Sequence, residues 1–180
     1  MRVLARTRLT PNALTWSGFI LALGAAALVI TGHLLAAGIV VLIAGFFDIL
    51  DGALARYLKK VTPFGAVLDA TLDRLSEAVI LLAILALYAI QPSLAGVLLV
   101  GAALIGSQLV SYIRARAEAQ GLECRVGIFT RAERVVVLAL GLLLSYFTLA
   151  LIIALAIIVV FSFTTVIQRL VYVWRQKNPG

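Results

Sequence analysis

Apolar runs of about twenty residues recur along this 180-residue chain, and they restrict it to a fold of membrane-spanning helices. A helix of about that length is long enough to cross the hydrocarbon core of a bilayer. Hydrophobic residues make up 63% of the chain and charged residues only 13%, whereas soluble globular proteins average about 45–50% and about 25%. The runs predict six transmembrane helices, over residues 13–30, 34–58, 66–90, 94–116, 131–147 and 149–173. We therefore expect an all-α integral membrane protein in which residues 1–180 form one six-helix bundle, with residues 1–12 as a short juxtamembrane segment.

The positions of the charged residues predict how the bundle is oriented. All fifteen lysines and arginines lie on the same side of the predicted helices, and the eight acidic residues lie on that same half. Because cytoplasmic loops carry an excess of Lys and Arg, we expect both termini in the cytoplasm, in a multi-pass protein of the cell membrane. The net charge of +7 suits anionic lipid headgroups and phosphorylated substrates. Basic residues confined to helix ends argue against nucleic-acid binding, and the single cysteine, Cys124, excludes an internal disulfide.

Four aspartates stand inside two of the most apolar stretches. Asp48 and Asp51 belong to the second predicted helix, and Asp69 and Asp73 belong to the third. Carboxylates are unfavourable in hydrocarbon, and spacings of three and four residues place each pair on one helix face. Two such helices direct four carboxylates toward a shared point, which is how proteins hold hard cations such as Mg²⁺, Mn²⁺ or Ca²⁺. Counted from the helix ends, the acids lie below the cytoplasmic surface but short of the bilayer midplane.

Two other interpretations of the aspartates are open. The acids can form structural ion pairs with Arg56 and Arg74, although four acids against two arginines leave excess negative charge. They can also couple ions in a six-helix transporter, but transporter sites usually lie at the midplane between inverted repeats, and no internal repeat is visible here.

Small residues beside the aspartates leave room for a ligand. Gly52 directly follows Asp51, and Gly65 lies one helical turn before Asp69. Together with Ala55, the two glycines keep one side of the acidic site sterically open. Close helix packing is the alternative explanation for small residues in membrane helices.

The acids belong to a longer motif with fixed spacing. Residues 48–73 match the pattern D-x2-D-G-x2-A-R-x8-G-x3-D-x3-D at every fixed position. This pattern resembles the signature of the CDP-alcohol phosphatidyltransferases, and the six predicted helices resemble the architecture of that family across nearly the whole chain. The resemblance implies a membrane enzyme that transfers a phosphatidyl-type group from a CDP-linked lipid to an alcohol and releases CMP. It also implies a homodimer with the active site facing the cytoplasm.

The resemblance further implies roles for individual residues. Asp48, Asp51, Asp69 and Asp73 would hold two divalent cations, Mg²⁺ or Mn²⁺, about 4 Å apart. Asp73 would also be the catalytic base on the attacking hydroxyl. The residues expected to bind the CDP-lipid are Asn12, Thr15, Gly52, Ala55, Arg56, Thr62 and Gly65. Helix capping is an alternative role for Asn12, Thr15 and Thr62.

A set of residues at cytoplasmic helix ends resembles the acceptor site of the phosphatidylinositol-phosphate synthase branch. In that branch a basic pocket binds inositol 1-phosphate, and the planar fork of arginine suits phosphate oxygens. The corresponding residues here are Ser111, Arg114, Arg116, Arg131, Arg134 and Arg169. Membrane topology alone also places arginines at helix ends, and glycerol 3-phosphate would equally need a basic pocket. Two features depart from the branch: arginine stands at 114 where lysine is usual, and the region before the first helix is short.

Overall fold

The computed structural model describes residues 10–57, 62–147 and 149–177, and most of these residues lie in helices. For Ala55, Arg56 and Lys177 it describes the backbone alone. No β-strand occurs in these ranges, and the six helices within them are α1 Pro11–Ile30, α2 Leu34–Tyr57, α3 Pro63–Ile90, α4 Leu94–Glu118, α5 Arg131–Leu143 and α6 Ala150–Lys177. Each helix overlaps one of the predicted spans, and the predicted all-α fold is confirmed.

Local sequence signals explain where the helices begin. The first helical residue of α1 is Pro11, whose fixed φ suits that position. Thr10 precedes it, and the Thr10 Oγ1 accepts a hydrogen bond from the Ala13 N–H at 3.2 Å. Ser93 caps α4 in the same way, because its Oγ accepts from the Gly96 N–H at 3.2 Å. Caps of this kind satisfy backbone N–H groups that a helix start otherwise leaves without a partner.

Four of the six described helices are long and apolar enough to cross a membrane on their own: Pro11–Ile30, Leu34–Leu54 within α2, Leu94–Glu118, and Ala150–Gln176 within α6. The other two differ for physical reasons. The 28-residue α3 carries four charged side chains, all of them between Asp69 and Glu77. The 13-residue α5 ends at Leu143 rather than at the predicted residue 147, and 13 residues give only about 20 Å of helix. The chain is thus a multi-pass membrane protein.

Contacts divide the chain into two units, Met1–Leu87 and Tyr88–Gly180. In the first unit α1 packs against α2. Both helices bury small residues, namely Ala22, Ala25, Ala26, Ala37 and Ala44. Small side chains let helix backbones approach closely, which favours helix association inside a membrane.

In the second unit, α4 and α5 each pack against α6, and glycines lie at the closest approaches. A Cβ on Gly141 of α5 would lie 2.5 Å from the Ala154 Cβ of α6. A Cβ on Gly106 of α4 would lie 3.1 Å from the Ser162 Cβ of α6. Both distances are shorter than ordinary van der Waals contact, so glycine is what allows these helices to meet.

Replacing Gly141 with alanine is expected to destabilise the second unit by about 1–3 kcal/mol, because the new methyl group overpacks against Ala154. Thermal unfolding of the purified protein in detergent measures this effect. Gly101→Ala is the matched control, because a Cβ at Gly101 meets nothing within 4 Å and alanine favours a helix. Adding Ala154→Gly to Gly141→Ala should restore the melting temperature. A Gly141→Ala protein that melts like the Gly101→Ala protein would contradict the packing argument.

Candidate active site

Asp48 lies against α1 at a point where that helix has no side chain. A Cβ on Gly18 of α1 would lie 2.8 Å from Asp48 Oδ1 and 3.7 Å from the Ala44 carbonyl oxygen. The Asp48 side chain is half-buried in this position. Glycine at position 18 therefore allows α2 to hold a carboxylate closer to α1 than any larger residue would permit.

Asp51 is the most buried of the four aspartates, with 3% of its surface exposed. Neither of its carboxylate oxygens accepts a hydrogen bond from a described residue. The Thr15 side chain of α1 lies close to Asp51, but the Thr15 hydroxyl donates to the Pro11 carbonyl at 3.1 Å. Asp48 and Asp69 are near enough to repel Asp51. A buried carboxylate in this setting is unfavourable unless a cation reaches it.

α3 carries three acids at helical spacing rather than the two that the motif contains. Asp69 and Asp73 are half-buried, and Glu77 follows one turn later with 6% of its surface exposed. Glu77 was not predicted as a site residue because it lies outside the motif. The available signal was its spacing of four residues from Asp73, which places the two side chains on one helix face.

The four aspartates suit a divalent cation, although their side chains are not grouped as ligands. Among the residues that the structure describes, no three acidic, histidine or cysteine side chains are arranged to hold a metal ion. Like charges repel, so the oxygens of these carboxylates come close to one another only when a cation lies between them. Their oxygen-only chemistry fits Mg²⁺ or Mn²⁺. The Asp51 carboxylate supports this fit, because the nearby Thr15 hydroxyl and Gly52 N–H form no hydrogen bond of good geometry with it.

Three residues of the expected CDP-lipid site come together where α1 and α3 begin. A Cβ on Gly65 would lie 2.9 Å from Thr62 Oγ1 and 3.3 Å from Asn12 Oδ1. The Thr62 Oγ1 also accepts a hydrogen bond from the Gly65 N–H at 3.0 Å, so Thr62 does cap α3. The Thr62 and Asn12 side chains therefore both lie beside the backbone of Gly65.

The structure gives less detail for the other residues expected to bind the CDP-lipid. Thr15 is buried beside Asp51, and Gly52 is half-buried one residue after it. The side chains of Ala55 and Arg56 lie outside the described part of the structure.

In the second unit two arginines of the expected acceptor site are buried. Arg134 and Arg169 expose 1% and 4% of their surfaces, and both Arg114 and Arg134 lie near enough to repel Arg169. Arg169 donates from Nε to the Val126 carbonyl at 2.9 Å and from Nη1 to the Val110 carbonyl. These bonds use part of its guanidinium group. Guanidinium groups gathered in this way attract an anion, because a bound anion relieves their mutual repulsion.

The remaining acceptor residues are more open to solvent. Arg114 pairs with Glu118 one turn along α4, with 2.9 Å between Nε and Oε1 and about half of each side chain exposed. Arg116 is exposed at the end of α4, while Ser111 and Arg131 are half-buried. Arg114 and Arg134 thus both lie near Arg169, and the Glu118 carboxylate lies near it as well and offsets part of the positive charge.

Comparison with known proteins decides the family. The family model described as CDP-alcohol phosphatidyltransferase matches residues 8–168. The chain belongs to this family. The matched region contains the complete acidic motif at residues 48–73, so the resemblance drawn from that motif is confirmed, and the protein is an enzyme of the family.

Several relatives of this family member have names that refer to inositol phosphate. The archaetidylinositol phosphate synthase of Methanothermobacter thermautotrophicus is 40% identical over 173 residues, which cover 95% of this chain and 86% of that protein. The phosphatidylinositol phosphate synthase of Mycobacterium tuberculosis is 38% identical. Its crystal structure with CDP-DAG bound matches 96% of this chain and 90% of its own, with a TM-score of 0.87. Its structure in complex with manganese and citrate matches 96% and 86%, with a TM-score of 0.88.

Replacing Gly18 with alanine is expected to raise the Mn²⁺ concentration for half-maximal CMP release about tenfold, as displacing a ligand's support does in other metal sites. The new methyl group would lie 2.8 Å from Asp48 Oδ1, so the flexible carboxylate must turn away while the fold is kept. CMP release at a series of Mn²⁺ concentrations measures the change. Gly24→Ala on the same helix is the control, since a Cβ there meets nothing within 4 Å. Identical activation curves for the two variants would show that the space at Gly18 does not matter for metal binding by Asp48.

Proposed function

We propose that the protein transfers a phosphatidyl-type group from a CDP-linked lipid to a phosphorylated alcohol, with inositol 1-phosphate as the favoured acceptor, and releases CMP. The observation that carries this proposal is the cluster of Arg114, Arg134 and Arg169 in a member of the CDP-alcohol phosphatidyltransferase family. A cluster of guanidinium groups with two members buried is suited to a phosphate dianion. Free alcohols such as serine or inositol offer no such charge.

The names of the relatives support inositol phosphate over other phosphorylated alcohols. An archaeal relative is called an archaetidylinositol phosphate synthase and a mycobacterial one a phosphatidylinositol phosphate synthase. The lipid donor by the same argument is CDP-diacylglycerol or its archaeal equivalent, since the mycobacterial structure holds CDP-DAG. Glycerol 3-phosphate is the second candidate acceptor, because the arginine cluster recognises phosphate rather than the polyol attached to it.

The reaction replaces the phosphoanhydride bond of the CDP-lipid with a phosphodiester bond to the acceptor. The acceptor hydroxyl oxygen attacks the lipid-side phosphorus of the CDP-lipid, a new P–O bond forms, and the bond from that phosphorus to the CMP oxygen breaks. Asp73 accepts the proton of the hydroxyl, which requires the two groups to come within hydrogen-bonding distance. CMP leaves with the electron pair of the broken bond.

Asp48, Asp51, Asp69 and Asp73 would hold the divalent cations, Mg²⁺ or Mn²⁺ and two in number, and the buried Asp51 carboxylate supports this assignment. The manganese in the mycobacterial structure supports the use of a divalent cation. Bound cations neutralise charge on the pyrophosphate and on the departing CMP. The residues proposed to bind the CDP-lipid itself are Asn12, Thr15, Gly52, Ala55, Arg56, Thr62 and Gly65.

The acceptor phosphate is proposed to bind Ser111, Arg114, Arg116, Arg131, Arg134 and Arg169. The basic residues at one side of the predicted spans support an active site that faces the cytoplasm of a cell-membrane protein, with both termini on that side. We also propose that all six helices cross the membrane and that the enzyme is a homodimer, as the family resemblance implies.

An acceptor screen tests the proposed substrate. Purified protein with CDP-diacylglycerol and Mn²⁺ should release CMP with inositol 1-phosphate, and it should release little with free inositol or serine, because these lack the phosphate that the arginines bind. Faster turnover with glycerol 3-phosphate would move the assignment to the second candidate. If no alcohol releases CMP, the proposed function is wrong.

Asp73→Asn tests the base. The amide cannot accept the hydroxyl proton, so the rate of CMP release should fall by a factor of about 10²–10⁴. Mn²⁺ binding, measured by calorimetry on the same variant, separates loss of the base from loss of the metal. Full turnover by Asp73→Asn would remove this residue from the base role while leaving the metal assignment intact.

A further inference from the structure

We propose that Gly127, Thr165 and Gln168 are positioning residues for the acceptor phosphate, because they fix on α6 the segment that carries the chain into α5. We call residues 123–129 the strap. This inference rests on the proposed acceptor site and adds to it residues that touch no substrate themselves.

The side chains of α6 hold the backbone of the strap at four points. The Phe129 N–H donates to Thr165 Oγ1 at 3.2 Å, and the Ile128 N–H donates to Gln168 Oε1 at 3.3 Å. In the opposite sense, Arg169 Nε donates to the Val126 carbonyl at 2.9 Å, and Gln176 Nε2 donates to the Glu123 carbonyl at 2.6 Å. Positions 165, 168, 169 and 176 recur at helical spacing, so a single face of α6 binds the strap.

Glycine is required at the point where the strap meets this face. Gly127 has a φ of 131°, a conformation that side chains other than glycine rarely adopt. A Cβ at Gly127 would lie 2.6 Å from Thr165 Cγ2 and 3.3 Å from Arg169 Nε. Two residues later the buried Phe129 ring packs against Phe161, with 5.5 Å between centroids. Close packing as well as hydrogen bonds therefore holds the strap on α6.

The locked strap leads directly into the helix that carries two acceptor arginines. Thr130 precedes α5, and the Glu133 side chain accepts hydrogen bonds from the Thr130 N–H at 2.8 Å and from the Thr130 hydroxyl. Arg131 is the first residue of α5, and Arg134 lies buried less than one turn later. A displacement of the strap therefore displaces both arginines, because no flexible residue separates them from it.

Arg169 connects the strap to the anion site directly. Its guanidinium group has five N–H donors in one plane, and the bonds to Val126 and Val110 orient that plane. The remaining donors then point in directions that the strap has fixed. Because a planar fork binds phosphate only when its direction is correct, a change in the strap should weaken phosphate binding without removing any arginine.

Thr165→Val tests the inference with little change of shape. Valine keeps the branched side chain but removes the acceptor of the buried Phe129 N–H, so the KM for inositol 1-phosphate should rise about tenfold, the factor that one such hydrogen bond corresponds to. The KM for the CDP-lipid should stay at the wild-type value. Thr165→Ser keeps the hydroxyl and should restore the acceptor KM.

The neighbouring threonine provides the matched control. The Thr164 hydroxyl donates to the Val160 carbonyl of its own helix at 2.8 Å and contacts no strap backbone group by hydrogen bonding. Thr164→Val should therefore leave both KM values unchanged. Gly127→Ala gives an independent variant, which should raise the acceptor KM at least as much as Thr165→Val does. Melting temperatures of all variants identify any that have unfolded.

Binding of inorganic phosphate to the full chain in detergent, measured by calorimetry, separates this inference from the proposed function. Weaker phosphate binding by Thr165→Val than by wild type, with equal binding by Thr164→Val, supports the inference whichever alcohol is the true acceptor. The inference is overturned if Thr165→Val leaves phosphate binding and the acceptor KM unchanged, if it raises both KM values equally, or if the wild type binds no phosphate. If the wild type binds phosphate but no phosphorylated alcohol releases CMP, the proposed function fails while the phosphate comparison still decides the role of the strap.

Discussion

The charged groups that this protein buries among apolar helices control much of the rest of its structure. A buried charge is tolerated only where a counter-charge, a hydrogen-bonding group or a bound ion reaches it. In the first unit the buried charge is negative. Asp51 is buried near Asp48 and Asp69, and its carboxylate oxygens form no hydrogen bond of good geometry with a described residue. A divalent cation, as proposed, would neutralise this charge, and the missing side chain at Gly18 leaves room beside α1 for the Asp48 carboxylate.

In the second unit the buried charges are positive, and backbone carbonyls stabilise one of them. Arg169 uses backbone carbonyls of the strap and of α4 to satisfy part of its guanidinium group. One hydrogen-bond acceptor for the buried Arg169, the Val126 carbonyl, thus belongs to the strap, whose position matters for the proposed acceptor site. Backbone carbonyls satisfy the arginine in part, and in the proposed acceptor site its remaining donors would bind phosphate oxygens.

The sequence predicted the features that depend on composition and local spacing. The six helices follow from apolar runs bounded by capping residues, and the aspartate motif follows from spacings of three and four residues within a helix. Glu77 has the same local spacing, and only the boundary of the motif excluded it. Contacts between distant residues had no such signal. Gly18 and Asp48 are thirty residues apart in the numbering, and the bond between Phe129 and Thr165 joins residues on two different elements, so neither contact produces a periodic pattern. The end of α5 at Leu143 could not be predicted from the sequence either, because the apolar residues continue beyond it.

The ion pair between Arg114 and Glu118 bears on the rate of ligand exchange at the proposed acceptor site. Both side chains are about half exposed, and pairs of this kind contribute only about 0–1 kcal/mol. Salt at cellular concentration screens such a pair further. If Arg114 binds the acceptor phosphate as proposed, a phosphate dianion would replace the weakly held Glu118 carboxylate, which would pair with Arg114 again when the product leaves. Breaking this exposed pair would then add little to the barrier for binding.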